Sequence, residues 1–308
     1  MPKRRQPPAK ARRASSRQKS PTATTLLLGA HVSIAGGTRE APPRAKAIGA
    51  TAMQIFTKMA SRWAERNCAD DECVAFRAAL ADTNVRVTVA HDSYLINLAS
   101  PDSQLRRRSV EAFVAELARC EALGLDYLVS HPGNYIDDRA SGVRRNADAI
   151  TEALERVPGH AALCMELTSG SGTAIGATFE ELAALIETVA PSVRDRVGVC
   201  VDTCHAYSAG YDLVNSFDLV WRRFADVLGM NRLKVMHLND SKTPFASRRD
   251  RHELIGEGSL GNLPFRRIMT DERFVDIPKL IETPKLDDAR KTDARMLARL
   301  RRYAAQGI

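Results

Sequence analysis

Apolar and β-branched residues cluster in eight short runs along the chain, at 25–31, 51–57, 85–91, 127–131, 161–166, 197–202, 233–237 and 278–282. Runs of that length, bounded by polar or turn-forming residues, predict strands. The stretches between them carry a helical period instead. Val110, Phe113, Val114 and Leu117 fall at i, i+3, i+4 and i+7, with Ser100-Pro101 as a start signal and Gly124 as a stop. Thr178 and Glu181 have the spacing of a capping box ahead of Leu182, Leu185 and Ile186. Strand and helix alternate, which predicts a parallel α/β protein, and eight strands are the number that closes a (β/α)8 TIM barrel. The 308 residues suffice for one such domain, expected over 25–308.

The ends of the predicted strands carry the chemistry. Seven of the eight finish on an ionisable residue: His31, His91, His131, Glu166, Asp202, His237 and Glu282. From His91 onward the intervals are 40, 35, 36, 35 and 45 residues, about one strand–helix unit each. In such barrels the active site lies at the C-terminal rim, so these distant residues are expected to converge on one ring. A single histidine ending a strand is most often structural. Several polar groups crowded at one buried rim all need partners, and metal coordination satisfies them together. Asp250 and His252, two apart, face the same side of an extended segment, and His205 follows Asp202 by three. The candidate ligands are therefore His91, His131, Glu166, Asp202, His205, His237, Asp250, His252 and Glu282. Nine are too many for one four-coordinate ion, and with a bridging carboxylate they suit three. Imidazole and carboxylate without thiolate favour zinc or manganese.

Composition changes this picture in two places. The six cysteines show no C-x-x-C pair and no scaffold density, so they are expected to be reduced and partly core-forming. The net charge of +8 resides in the first 24 residues, which hold eight Lys and Arg and no acid; the remainder carries 37 residues of each sign. That Pro-, Ser- and Arg-rich segment lacks apolar periodicity and is expected to be a disordered basic tail: an address signal, a DNA-tethering arm, or a plain solvated extension. No apolar run approaches the ~20 residues of a membrane span.

Several stretches resemble motifs of the endonuclease IV family: Gly29-Ala30-His31-Val32-Ser33, His91-Asp92-Ser93-Tyr94-Leu95-Ile96-Asn97-Leu98, His131-Pro132-Gly133, Val201-Asp202-Thr203-Cys204-His205, His237-Leu238-Asn239-Asp240-Ser241-Lys242, and Arg251-His252 with Gly256-Glu257-Gly258. They stand in that family's order and span about residues 26 to 285. The resemblance implies a zinc-dependent AP endonuclease on a xylose-isomerase-like barrel. Such an enzyme hydrolyses the phosphodiester 5′ to abasic sites in double-stranded DNA, leaving 3′-hydroxyl and 5′-deoxyribose phosphate ends for base excision repair. It further implies three zinc ions per chain. His91 and His131 would hold the first, with Glu166 bridging to the second and acting as the catalytic carboxylate. Asp202, His237 and Glu282 would complete the second site, and His205, Asp250 and His252 the third. His31 would lie nearby without binding metal.

The same resemblance makes Tyr94 and Leu95 DNA-contacting wedges, with Arg62 as a third. Here the chain departs from the family: Met59 replaces an expected Asn, and Arg62 sits one position from the expected place, which Ser61 occupies. A monomer is implied, located in the cytoplasm with the nucleoid in a bacterium, or in the nucleus or mitochondrion of a eukaryote. The alternative enzyme is a xylose-isomerase-like sugar isomerase or epimerase, for which Glu166, Asp202, His237 and Glu282 alone would serve. A non-catalytic DNA-binding protein is the alternative of a different class.

Overall fold

The strand–helix alternation closes on itself. In the computed structural model, which describes residues 26–306, seven parallel strands come first: β1 (Leu28–His31), β2 (Ala52–Phe56), β3 (Val87–His91), β4 (Tyr127–Ser130), β5 (Ala162–Glu166), β6 (Val197–Asp202) and β7 (Leu233–His237). A two-stranded antiparallel ribbon follows, β8 (Asp240–Ser241) with β9 (His252–Glu253). Strand β10 (Lys279–Ile281) then closes the barrel between β7 and β1. The fold is thus a (β/α)8 TIM barrel. Several strands start later than the apolar runs suggested, β1 at Leu28 rather than at 25, but they end at or beside the expected residues. The basic segment 1–24 lies outside the described residues.

Helices surround the barrel: α1 (Ala41–Ala47), α2 (Asp70–Ala81), α3 (Ser103–Leu123), α4 (Arg139–Arg156), α5 (Phe179–Thr188), α6 (Thr203–Ala209), α7 (Phe217–Val227), α8 (Leu263–Thr270) and α9 (Ala289–Gln306). Local signals set their ends. Asp102 caps α3, its carboxylate accepting from the backbone of Gln104 and Leu105 at 2.8 and 3.0 Å, and Gly124 stops it at φ 76°. Thr178 accepts from Glu181 N at 3.1 Å, while Glu181 reaches back to Ala177 N at 3.0 Å, one residue earlier than a capping box requires. Among the described residues, no helix is long and apolar enough to cross a membrane.

Two apolar cores result among the described residues. The larger, between strands and helices, includes Phe76, Phe113, Phe179, Trp221, Phe224 and Phe265. The smaller fills the barrel and takes one residue from each of seven strands: Ala52, Val89, Val129, Cys164, Cys200, Val235 and Leu280, all fully buried. Gly29 stands in the remaining strand at that level, paired with Ala52 and Leu280, where a Cβ would collide with the Ala52 carbonyl. This layer is the floor of the site.

Candidate metal centre

Strand side chains alternate, so the residue two past each floor position also faces the barrel axis, one level nearer the C-terminal rim. Those eight residues are His31, Gln54, His91, His131, Glu166, Asp202, His237 and Glu282, and every one is polar. Seven were legible as ionisable strand ends. Gln54 was missed because β2 runs two residues further, to Phe56. Its signal was a lone amide inside Ala52-Met53-Gln54-Ile55-Phe56.

Glu166 stands at the centre of this ring. Its Oε2 lies 3.2 Å from His91 Nε2 and 3.0 Å from His131 Nε2, and its Oε1 lies 3.0 Å from His237 Nδ1 and 3.3 Å from His205 Nδ1. One carboxylate therefore spans two donor groups, His91–His131–Glu166 and Glu166–Asp202–His237–Glu282. Ring orientations are fixed from behind by backbone carbonyls, which only accept: His91 Nδ1 is 3.0 Å from Asp92 O, and His205 Nδ1 is 3.0 Å from Leu167 O. The opposite nitrogens, Nε2 in both rings, are left facing carboxylates, Glu166 for His91 and Asp250 for His205, where they would offer lone pairs to a bound cation.

A third group forms where α6 leaves the barrel. Asp202 caps that helix, Oδ1 accepting from Cys204 N and His205 N at 2.7 and 3.1 Å, which brings His205 over the rim. The β8–β9 ribbon delivers the other two members. Asp250 lies 3.2 Å from both His205 Nε2 and His252 Nε2. Asp202 Oδ2, 3.5 Å from His252 Nε2, faces this group as well as the second. Asp240 is not a ligand candidate. Its carboxylate accepts from the backbone N–H groups of Gly256, Gly258 and Leu260 at 3.0, 3.1 and 2.9 Å, so the Gly256-Glu257-Gly258 motif is a clamp for this loop.

The electrostatics describe a site charged on both sides. Burial alone would lower the His91 pKa, but the hydrogen bond and charge of Glu166 overcome it and push it up to about 10. His252, also lowered by burial, is raised to about 9 by the Asp202 charge and the adjacent Asp250 carboxylate. Burial raises the carboxyls of Glu166 and Glu282, yet the surrounding imidazoles, His237 first, hold both well below the usual range. The thiols of Cys200 and Cys204 border two of the donor groups, but burial keeps them protonated, Cys204 at about 11. The donor set thus remains imidazole and carboxylate. Nε2 of His205 and of His252 is buried and, although an Asp250 oxygen lies 3.2 Å from each, makes no aligned hydrogen bond. Such orphaned nitrogens are costly unless something satisfies them, and a divalent cation held between imidazoles and carboxylates does so. The residues fit a metal.

Relatives decide the family. The family described as xylose isomerase-like TIM barrel matches residues 42–300. A probable endonuclease 4 of Geobacter sulfurreducens is 42% identical over 265 residues, covering 85% of this chain and 89% of that protein. The crystal structure of endonuclease IV from Thermus thermophilus superposes with a TM-score of 0.81 at 33% identity, covering 91% of this chain and 99% of that one. The chain belongs to the endonuclease IV family. Sugar-modifying barrels share the architecture alone: a 3-keto-D-glucoside 4-epimerase from E. coli aligns over 90% of this chain and 100% of its own with a TM-score of 0.64, at 14% identity.

The loops above the ring decide what reaches it. A cavity of about 370 Å³ opens over the centre, lined in part by His31, Phe56, Tyr94 and Lys285. Tyr94 is 71% exposed and packs edge-on against Phe56, ring centroids 5.3 Å apart. Leu95 is half-buried behind it and does not line the cavity. Arg62 also stays off the lining, its side chain exposed while its carbonyl accepts from buried Lys58 Nζ at 2.6 Å. Sequence reading did not anticipate Phe56 or Asn239. The latter donates to Asp202 Oδ2 at 2.6 Å and accepts from Glu282 N at 2.8 Å, tying two strand ends together.

Proposed function

We propose that this protein is a zinc-dependent AP endonuclease acting in base excision repair as a monomer. It hydrolyses the phosphodiester 5′ to abasic sites in duplex DNA and leaves 3′-hydroxyl and 5′-deoxyribose phosphate ends. The observation that carries this reading is the Glu166 carboxylate spanning two imidazole groups, with a third group beside it, in a member of the endonuclease IV family. Zinc would be held by His91, His131 and Glu166, by Glu166, Asp202, His237 and Glu282, and by His205, Asp250 and His252. When bound, the ions supply Lewis acidity, lowering the pKa of water and neutralising the charge that gathers on the phosphate.

The protein's own residues do the rest. Glu166 keeps two donor groups in register, and the carbonyls of Asp92 and Leu167 hold the His91 and His205 rings turned inward. Three divalent ions would outweigh the four carboxylates Glu166, Asp202, Asp250 and Glu282. A phosphodiester is then attracted to the site although the chain beyond its tail is neutral. Tyr94 and Phe56 wall the cavity on one side and Lys285 stands at its edge, and by the family resemblance Tyr94, with Arg62 and Leu95 outside the cavity, would contact the distorted DNA. Residues 25–308 form the catalytic domain, and 1–24 a basic arm. A bacterial host, as for these relatives, would place the protein in the cytoplasm with the nucleoid.

Elemental analysis of the purified protein tests the assignment. Three zinc ions per chain are expected. A single ion would favour the epimerase reading, for which Glu166, Asp202, His237 and Glu282 suffice, and none would leave only a binding role.

A further inference from the structure

Gln54 is fully buried on β2 and paired with His31 of β1. Its amide nitrogen lies 2.6 Å from Glu282 Oε1 and 3.0 Å from His31 Nδ1, and its amide oxygen 2.8 Å from His237 Nε2. An ionised carboxylate only accepts, so the NH₂ group must face Glu282. The amide oxygen is thereby turned to His237, and since it too only accepts, His237 must carry its proton on Nε2. The second amide proton goes to His31 Nδ1, which makes His31 a neutral acceptor at that atom. Both donors and the acceptor of Gln54 are used. His237 is left presenting the lone pair of Nδ1, on the side where Glu166 Oε1, Glu282 Oε2 and Asp202 Oδ2 lie at 3.0, 3.4 and 4.0 Å.

We infer that Gln54 is the positioning residue of the Glu166–Asp202–His237–Glu282 metal group: it selects Nδ1 of His237 as the ligating nitrogen and holds Glu282 by Oε1, so that Oε2 faces the ion. This rests on the metal reading above. It accounts for the one non-ionisable member in a ring otherwise made of imidazoles and carboxylates, since an amide offers two donors, for Glu282 and His31, and an acceptor for His237 in one uncharged side chain. It also gives His31 a task without metal contact, as the acceptor that takes the amide's second proton. Partners of this kind typically change metal affinity about 10- to 100-fold.

Two variants test the inference. Gln54→Met keeps the volume and removes every hydrogen bond, whereas Gln54→Glu keeps an acceptor for His237 and loses the donor to Glu282. Zinc retained at increasing chelator is measured by elemental analysis. Long-range proton–nitrogen NMR of the zinc-loaded protein reports the His237 ring, with a His237→Asn sample to assign its signals. The wild type should show the His237 proton on Nε2, protected from exchange. Gln54→Met should release one zinc per chain at about 10- to 100-fold lower chelator, keep the others, and lose that proton to exchange. Gln54→Glu should retain the proton signal, so the test survives if the Met variant does not fold. A wild-type His237 protonated on Nδ1, or a Gln54→Met protein that holds zinc like the wild type, overturns the inference alone. A wild type without zinc overturns the metal reading and this inference together.

Discussion

Replacing Glu166 with Gln keeps the side-chain volume and one acceptor oxygen but removes the charge that four imidazoles face. The variant should stay folded, because the apolar floor beneath it is untouched. It should lose metal from two donor groups at once and, with it, about 3 kcal/mol or more of transition-state stabilisation, a rate loss of roughly 10²-fold at least. Steady-state incision beside circular dichroism checks this; near-wild-type turnover would remove Glu166 from its bridging role. A second consequence at this scale concerns pH in the metal-stripped protein. His91 and His252 have folded-state values of about 10 and 9, above the ordinary 6.5 of an unfolded histidine. Their contribution is therefore fully present below about 6.5 and is lost as pH rises through about 9 to 10. Urea unfolding of stripped protein at pH 7 and pH 10 should show a larger loss for the wild type than for a His91→Asn, His252→Asn double variant. Equal losses would mean these ion pairs do not stabilise the empty site. Loaded protein should behave differently, because ligating imidazoles are neutral and metal affinity weakens as pH falls.

Among the elements, the loop after β2 carries Met59, Ser61 and Arg62, where the sequence departs from the expected motif, and the structure shows what holds it. Arg119 of α3 is buried and donates to Thr57 Oγ1 at 2.8 Å, Glu65 at 2.8 Å and Arg66 O at 3.0 Å, while pairing with Glu116 at 3.0 Å. Lys58, also buried, spans Glu65 at 3.1 Å and the Arg62 carbonyl. The backbone that presents Arg62 is thus fixed by two buried cations. Arg119→Met alone would strand the Glu116 carboxylate and should cost about 3–5 kcal/mol. Adding Glu116→Gln should restore much of that stability but not the loop, so trypsin should cut after Arg62 or Arg66 in the double variant and not in the wild type. Equal protection would show that the network is not what orders the loop. None of this was legible in the sequence, because Thr57, Glu116 and Arg119 meet only once α3 has packed. What could be read was periodic or local: eight apolar runs, the Gly124 stop, and seven strand ends of the polar ring. The alternation that put Val89 and His91 on one face also puts Ala52 and Gln54 there. Looking only for ionisable ends hid the eighth member.

For the whole molecule, charge is divided between two parts that do different things. The eight net positive charges lie in residues 1–24, outside the described residues, and the nine candidate ligands begin at His91. Deleting residues 1–24 should weaken binding to undamaged duplex and flatten the slope of log K against log salt, because fewer counterions are released. Single-turnover incision at saturating enzyme should stay within a small factor of the full chain. An unchanged slope would mean the arm does not touch DNA, and a collapsed incision rate would mean that the catalytic domain begins before residue 25. Convergence of distant strand ends on one metal centre that cuts DNA is the central claim. Its most direct measurement is incision of a duplex bearing one abasic analogue, with product ends identified, before and after exhaustive chelation and zinc return. A cut 5′ to the lesion leaving a 3′-hydroxyl, abolished by chelation and restored by zinc without magnesium, is predicted. Absence of incision by zinc-replete protein, or cutting that persists in fully stripped protein, would contradict it.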